Sequence, residues 1–269
     1  MPRTDRIGTR MQLSSTPAPA LLAALSIAGC AAPAAETVPD PPEALPGLWE
    51  ITEGPGAPFL LSPPAGRDPA AAVVLFVPGG AGIRDHALPT FERWLAAGDG
   101  RDELWLLLPY ATGSDLAAEE ARVQAALERV LAERAPDARA VHLAGTSNGG
   151  RTAFRWMLAH PERWASFLGA PALPPADTTD EALVAALGDK PVMLAVGEQD
   201  AGEHGWLDPV RALAERLAAL GVDGELAVLP GEEHILTEEF DETLFLDFWL
   251  GRRAATRADS SNPSTSTPR

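Results

Sequence analysis

The chain has 269 residues, a formal net charge of −17 and a single cysteine. An acidic balance of this size repels phosphate backbones, which argues against nucleic acid as a partner and mildly against strongly anionic substrates; one cysteine excludes a disulfide-stapled scaffold. The charge is unevenly placed, since residues 30–251 hold 14 Arg or Lys against 36 Asp or Glu, and a plainer reading of that excess is a surface that keeps an exported protein in solution.

In chain order, the amino terminus comes first. Arg3, Arg6 and Arg10 form a basic region, 20–25 is a short apolar run, and Ile27-Ala28-Gly29-Cys30 closes it. Residues 1–29 therefore read as a secretory signal, too short to span a bilayer as a stable helix. The closing tetrapeptide resembles the bacterial lipobox, which implies cleavage before Cys30, lipid modification of that cysteine and a membrane anchor. Ala31 follows instead of an aspartate, so resemblance to lipoprotein sorting implies the outer membrane if the cell has two. The alternative is an ordinary secretory signal ending in Ala-Gly-Cys-Ala-Ala. Residues 30–46 are alanine, proline and acidic residues with little to bury, and are expected to form a disordered tether. The serine-, threonine- and proline-rich 252–269 is expected to be a disordered tail.

Residues 47–251 are long enough for one domain with a sizeable core. Apolar runs predict strands near 48–53, 58–62, 72–77, 103–108, 140–144, 165–169, 191–196 and 225–229. Helices are expected between them: one opened by His86, then 117–134, 151–160, 209–220 and 238–250. In the second of these Val123, Leu127, Val130 and Leu131 line one face. Alternating strands and helices with short connections predict an α/β fold, a parallel sheet covered on both faces.

Four segments carry chemistry. Gly145-Thr146-Ser147-Asn148-Gly149 lies between a predicted strand and a predicted helix, the context of a nucleophile elbow, where flanking glycines let a sharp turn expose a serine hydroxyl. Gly197-Glu198-Gln199-Asp200 follows the strand at 191–196 and Pro230-Gly231-Glu232-Glu233-His234 follows the strand at 225–229. Ser147, Asp200 and His234 thus all lie just past strand ends, where open parallel sheets place their sites. A serine hydroxyl is a poor nucleophile at neutral pH, so it needs a histidine to take its proton and a carboxylate to orient that histidine. Glu198, Glu203 and Asp208 are near enough to compete with Asp200, and His204 is the rival of His234. An oxyanion needs preorganised donors. Asn148 N–H, after the nucleophile, is one candidate; Gly80 N–H, with Ala81 next, is the other, from the loop Pro78-Gly79-Gly80-Ala81-Gly82.

On these residues the chain resembles the α/β-hydrolase superfamily, from about Val73 to Leu250. The resemblance implies a mostly parallel eight-stranded sheet with an antiparallel strand near its start, and a serine esterase that uses no cofactor or metal. Pro78 stands where a histidine of a His-Gly pair is common, which puts the bracing of that loop in question. About twenty residues separate the strands at 165–169 and 191–196, where larger members insert a cap, so little or no cap is expected. The compact domain is similar to the dienelactone hydrolase and phospholipase/carboxylesterase groups, and Ser147-Asn148-Gly149-Gly150 to elbows of polyhydroxybutyrate depolymerase-like esterases. These imply a small-molecule or polymer ester, or a thioester, as substrate, with Trp206 and Tyr110 as candidate walls of the acyl pocket or as ordinary packing. A peptidase of the same fold, and an inactive lipoprotein that binds an envelope ligand, are the competing readings. The sequence leaves the oligomeric state open.

Overall fold

The computed structural model describes residues 40, 43–45, 47–96, 103–113, 116–202, 205–236, 240 and 243–251. The expected signal segment, Cys30, the tail 252–269, Glu203 and His204 lie outside the described residues.

Among the described residues nine strands form one sheet: β1 (Glu43–Leu45), β2 (Leu48–Ile51), β3 (Phe59–Ser62), β4 (Ala72–Val77), β5 (Leu104–Pro109), β6 (Val141–Gly145), β7 (Ser166–Gly169), β8 (Val192–Gly197) and β9 (Gly224–Leu229). Their order is β1-β2-β3-β5-β4-β6-β7-β8-β9. Pairing is antiparallel from β1 through β2 and β3 to β5 and parallel from there on. Strands β2 to β9 coincide with the eight predicted runs, each to within two residues at either end. The ninth, β1, falls inside the segment expected as a tether. It pairs with β2 in the register Glu43↔Trp49 and Leu45↔Leu48, and Asp40 forms ion pairs with Arg67 and Arg134. The folded unit therefore begins earlier than 47.

Every residue of β4, β5 and β8 is buried. That is why they read as continuous apolar runs, since side chains alternate between two covered faces. On one face Val73, Leu75, Val77, Trp105 and Leu107 meet the helices α2 (Glu120–Glu133), α3 (Ser147–Ala159), α4 (Asp180–Leu187) and α5 (Leu207–Ala219). On the other, Val74, Phe76, Leu106 and Leu108 meet α1 (Arg84–Ala96) and α6 (Thr243–Trp249). Helix α4 occupies the short stretch between β7 and β8, and its start is capped by Thr179, whose side chain accepts from Ala182 N–H at 3.2 Å. At the far end, among the described residues, β9 pairs only with β8 and is an edge strand, its first residues exposed. Among the described residues no helix is long and apolar enough to cross a membrane.

Candidate active site

The parallel strands deliver their loops to one rim of the sheet. β6 ends at Gly145, Thr146 is extended, and Ser147 opens α3 with φ +55, the left-handed region that a residue with a Cβ adopts only under constraint. The constraint is visible. Ser147 N–H donates to Pro171 O at 2.8 Å and Thr146 N–H to Val77 O at 3.2 Å. The helix then starts so close to its neighbours that a Cβ on Gly149 would lie 2.2 Å from Val77 O and 2.3 Å from Pro78 O. Glycine there is a condition of the close approach. This also moves the helix start to Ser147 from the predicted 151: Gly149 and Gly150 belong to the first turn of α3.

Ser147 Oγ lies 2.9 Å from His234 Nε2, and His234 Nδ1 lies 2.7 Å from Asp200 Oδ2. The three side chains come from the ends of β6, β8 and β9. Asp200 is buried at 8% exposure and its second oxygen, Oδ1, accepts the Trp206 backbone N–H at 3.2 Å. Two of its competitors, Glu198 and Asp208, stand elsewhere. Glu198 accepts the Gly231 N–H through Oε2 at 3.3 Å, and Asp208 is exposed on the first turn of α5. The loop carrying His234 is tied to the Asp200 loop by Gln199 N–H donating to Glu232 O at 2.9 Å. Of the other described histidines, His142 is buried in β6 and His160 pairs with Glu120 at 3.5 Å.

The glycine loop after β4 passes against the elbow: a Cβ on Gly79 would be 3.3 Å from Ser147 Cβ, and Asn148 Nδ2 donates to Gly80 O at 3.3 Å. The backbone N–H groups of Gly80, Ala81 and Asn148 donate to no protein group among the described residues. For Asn148 this follows from its place in the first turn of a helix, whose leading N–H groups have no intrahelical acceptor.

Pro78 leaves the loop without the histidine common in the superfamily, and other groups hold it. Gly82 N–H donates to Gly79 O at 3.0 Å and Ala111 N–H to Gly82 O at 2.7 Å. Next to them Arg84 grips Glu50 with two bonds, Nε to Oε1 at 2.7 Å and Nη2 to Oε2 at 2.9 Å. Tyr110 Oη donates to the same Glu50 Oε1 at 2.8 Å. The Arg84 bonds hold the Glu50 carboxyl below the usual carboxylate range, while burial and the Glu50 carboxylate push the Tyr110 phenol up to about 12. The cluster joins β2, the start of α1 and the end of β5 beside the glycine loop.

A cleft of about 390 Å³ opens between α1 and α6 beside Ser147 and His234. Its buried part is aromatic and aliphatic: Phe76, Leu106, Phe245, and the pair Trp94 and Trp249 with centroids 5.6 Å apart. Its mouth carries Asp85 and His86 from α1 and Ile235, which is 77% exposed. Arg93 Nη1 donates to Leu236 O at 3.0 Å and so links α1 to the stretch after His234.

The two expected pocket walls do not line this cleft. Tyr110 is buried and spends its hydroxyl on Glu50, and Trp206 stacks on the His234 ring instead. The cleft residues of α1 were missed, although Asp85, His86, Pro89 and Arg93 recur at helical spacing just after the glycine loop, a pattern that marks one face of a helix.

No protein-family model matches the sequence, and no curated protein matches it. Solved structures do. A dienelactone hydrolase from Anabaena variabilis is 22% identical, with a TM-score of 0.51 over 75% of this chain and 94% of that one. The chain has the α/β-hydrolase fold. An acyl-protein thioesterase 2 from Zea mays (15% identity, TM-score 0.50, 72% and 97% of the two chains) is also similar. So is an S-formylglutathione hydrolase from Staphylococcus aureus (13%, 0.50, 70% and 88%). Identities this low speak to architecture alone. The expected sheet is there in full, with the antiparallel β3 near its start and the short β1 added at one edge.

Proposed function

We propose that this protein is a cofactor-free serine hydrolase that cleaves a carboxylic ester or thioester through an acyl-enzyme. The observation that carries the reading is the continuous line from Ser147 Oγ through His234 to Asp200, at 2.9 and 2.7 Å, opening on the cleft. Ser147 Oγ attacks the carbonyl carbon as His234 Nε2 takes its proton. The oxyanion is received by Asn148 N–H and by Gly80 or Ala81 N–H, donors worth about 3–4 kcal/mol each in sites of this kind. Collapse expels the alcohol or thiol, which leaves with the proton from His234. A water then attacks the acyl-Ser147 with His234 again as base, and the acid is released. The largely apolar interior of the cleft supports a carbon-rich substrate.

The test is turnover of short-chain p-nitrophenyl esters beside labelling by a fluorophosphonate. Wild-type protein is expected to do both, and Ser147→Ala neither. Folded wild-type protein that does neither would replace this reading with a ligand-binding one.

We also propose that the domain is held at the cell envelope by lipid on Cys30. A single acyl chain gives only reversible attachment and several give a stable anchor. Cys30→Ser is expected to move the protein from the membrane to the soluble fraction; unchanged fractionation would reject the anchor.

A further inference from the structure

We propose that Trp206 is a positioning residue for the reaction just described, holding the plane of the His234 imidazole, and that Arg151 holds Trp206 in turn. The proposal rests on the serine-hydrolase reading of the site. The His234 ring has its two nitrogens engaged at its edge, by Ser147 and Asp200. Two bonds in the ring plane fix where the nitrogens sit but resist poorly a tilt of the ring about the line joining them. The ring is also more than a third exposed, its side chain at 37%, so close packing does not enclose it.

Trp206 supplies the missing restraint. Its indole stacks on the imidazole with centroids 5.6 Å apart and 30° between planes. Flat contact of this kind opposes the tilt that the edge bonds permit. The same residue also holds the carboxylate, because its backbone N–H donates to Asp200 Oδ1 at 3.2 Å while Oδ2 takes the histidine. One residue thus touches both partners of the nucleophile, one through its backbone and one through its ring.

The indole is itself held. The Arg151 guanidinium lies over it, 4.6 Å from the ring centroid. Arg151 stands four residues after Ser147 on α3, one helical turn away, and Trp206 stands at the cap of α5. The contact therefore ties the helix that presents the nucleophile to the loop that presents the acid. During the reaction His234 must receive a proton from Ser147 and deliver it to a leaving group without changing its plane. A tilted ring misdirects Nε2 at both steps, so the loss falls on kcat. Substrate binding, made in the cleft between α1 and α6, is left in place.

The test compares Trp206→Leu, which keeps apolar bulk without a flat face, with Trp206→Phe, which restores one; both keep the backbone bond to Asp200. In the intact protein Trp206→Leu is expected to lower kcat about tenfold or more with KM within about twofold, and Trp206→Phe to recover kcat to within about threefold of wild type. Arg151→Met, at an exposed position, is expected to lower kcat about threefold at an unchanged melting temperature, and it stands in should Trp206→Leu fail to fold. A readout free of turnover is the low-field proton resonance of the His234 Nδ1–H: sharp in wild type and Trp206→Phe, broadened or lost in Trp206→Leu. Full activity in folded Trp206→Leu, or equal losses in the Leu and Phe variants, would overturn the proposal. Absence of ester turnover and probe labelling in wild type would instead remove the hydrolase reading beneath it.

Discussion

His142 gives the protein a measurable sensitivity to acid. It sits in β6 at 8% exposure, its Nδ1 2.8 Å from Ser166 Oγ on the neighbouring β7, and burial lowers its pKa from 6.5 to about 4. Between those two values the unfolded chain binds a proton that the folded protein refuses. Stability from this residue is therefore complete above pH 6.5 and is lost as the pH falls toward 4. A shift of this size corresponds to about 3 kcal/mol in all, of which about 2 kcal/mol disappears between about pH 7.5 and about pH 5. Denaturant unfolding at those two pH values measures the loss. The control is His142→Ile with Ser166→Ala, which removes both partners of the bond together so that neither is left buried and unpaired. The wild-type loss is expected to exceed the control's by about 2 kcal/mol. Equal losses in the two proteins would show that the native state protonates His142 at little cost, and the reasoning from burial would fail.

Other perturbations test the bracing of the site. Tyr110→Phe removes the hydroxyl that Glu50 accepts, and is expected to cost about 1 kcal/mol in denaturant unfolding while lowering kcat a few-fold through a looser glycine loop. Gly149→Ala places a methyl 2.2 Å from Val77 O, a backbone atom that cannot step aside, so a loss of about 3 kcal/mol or failure to accumulate as soluble protein is expected. Asp200→Asn keeps the shape but not the charge, and fluorophosphonate labelling is expected to slow by several orders of magnitude with the melting temperature little changed.

The strands were legible because burial on both faces leaves little room for polar residues: 72–77, 104–109 and 192–197 are apolar almost throughout. The placing of Ser147, Asp200 and His234 past strand ends was legible for a related reason, since Gly145, Gly197 and Gly231 punctuate the chain where the strands stop. What escaped depends on contacts across the fold. Trp206 and Tyr110 announce only bulk and a polar tip, and nothing in their neighbours says that one faces an imidazole and the other a carboxylate from β2. The start of α3 escaped because Gly149 and Gly150 look like turn residues, and only the nearness of Val77 O and Pro171 O explains glycines inside a helix. The three-residue β1 is too short to show an alternating pattern. Helix α4 was foreseen only as a gap too short for a cap.

Strand β9 leads into the loop that carries His234 and borders the sheet. The proposed nucleophile is mounted in the interior of the architecture, while the residue proposed to activate it follows a marginal strand that, among the described residues, pairs with a single neighbouring strand. Margins fray before interiors. Warming is therefore expected to switch the protein off by detaching its base, with the serine elbow still folded, so that amide exchange along 224–229 and loss of turnover run together and ahead of global melting.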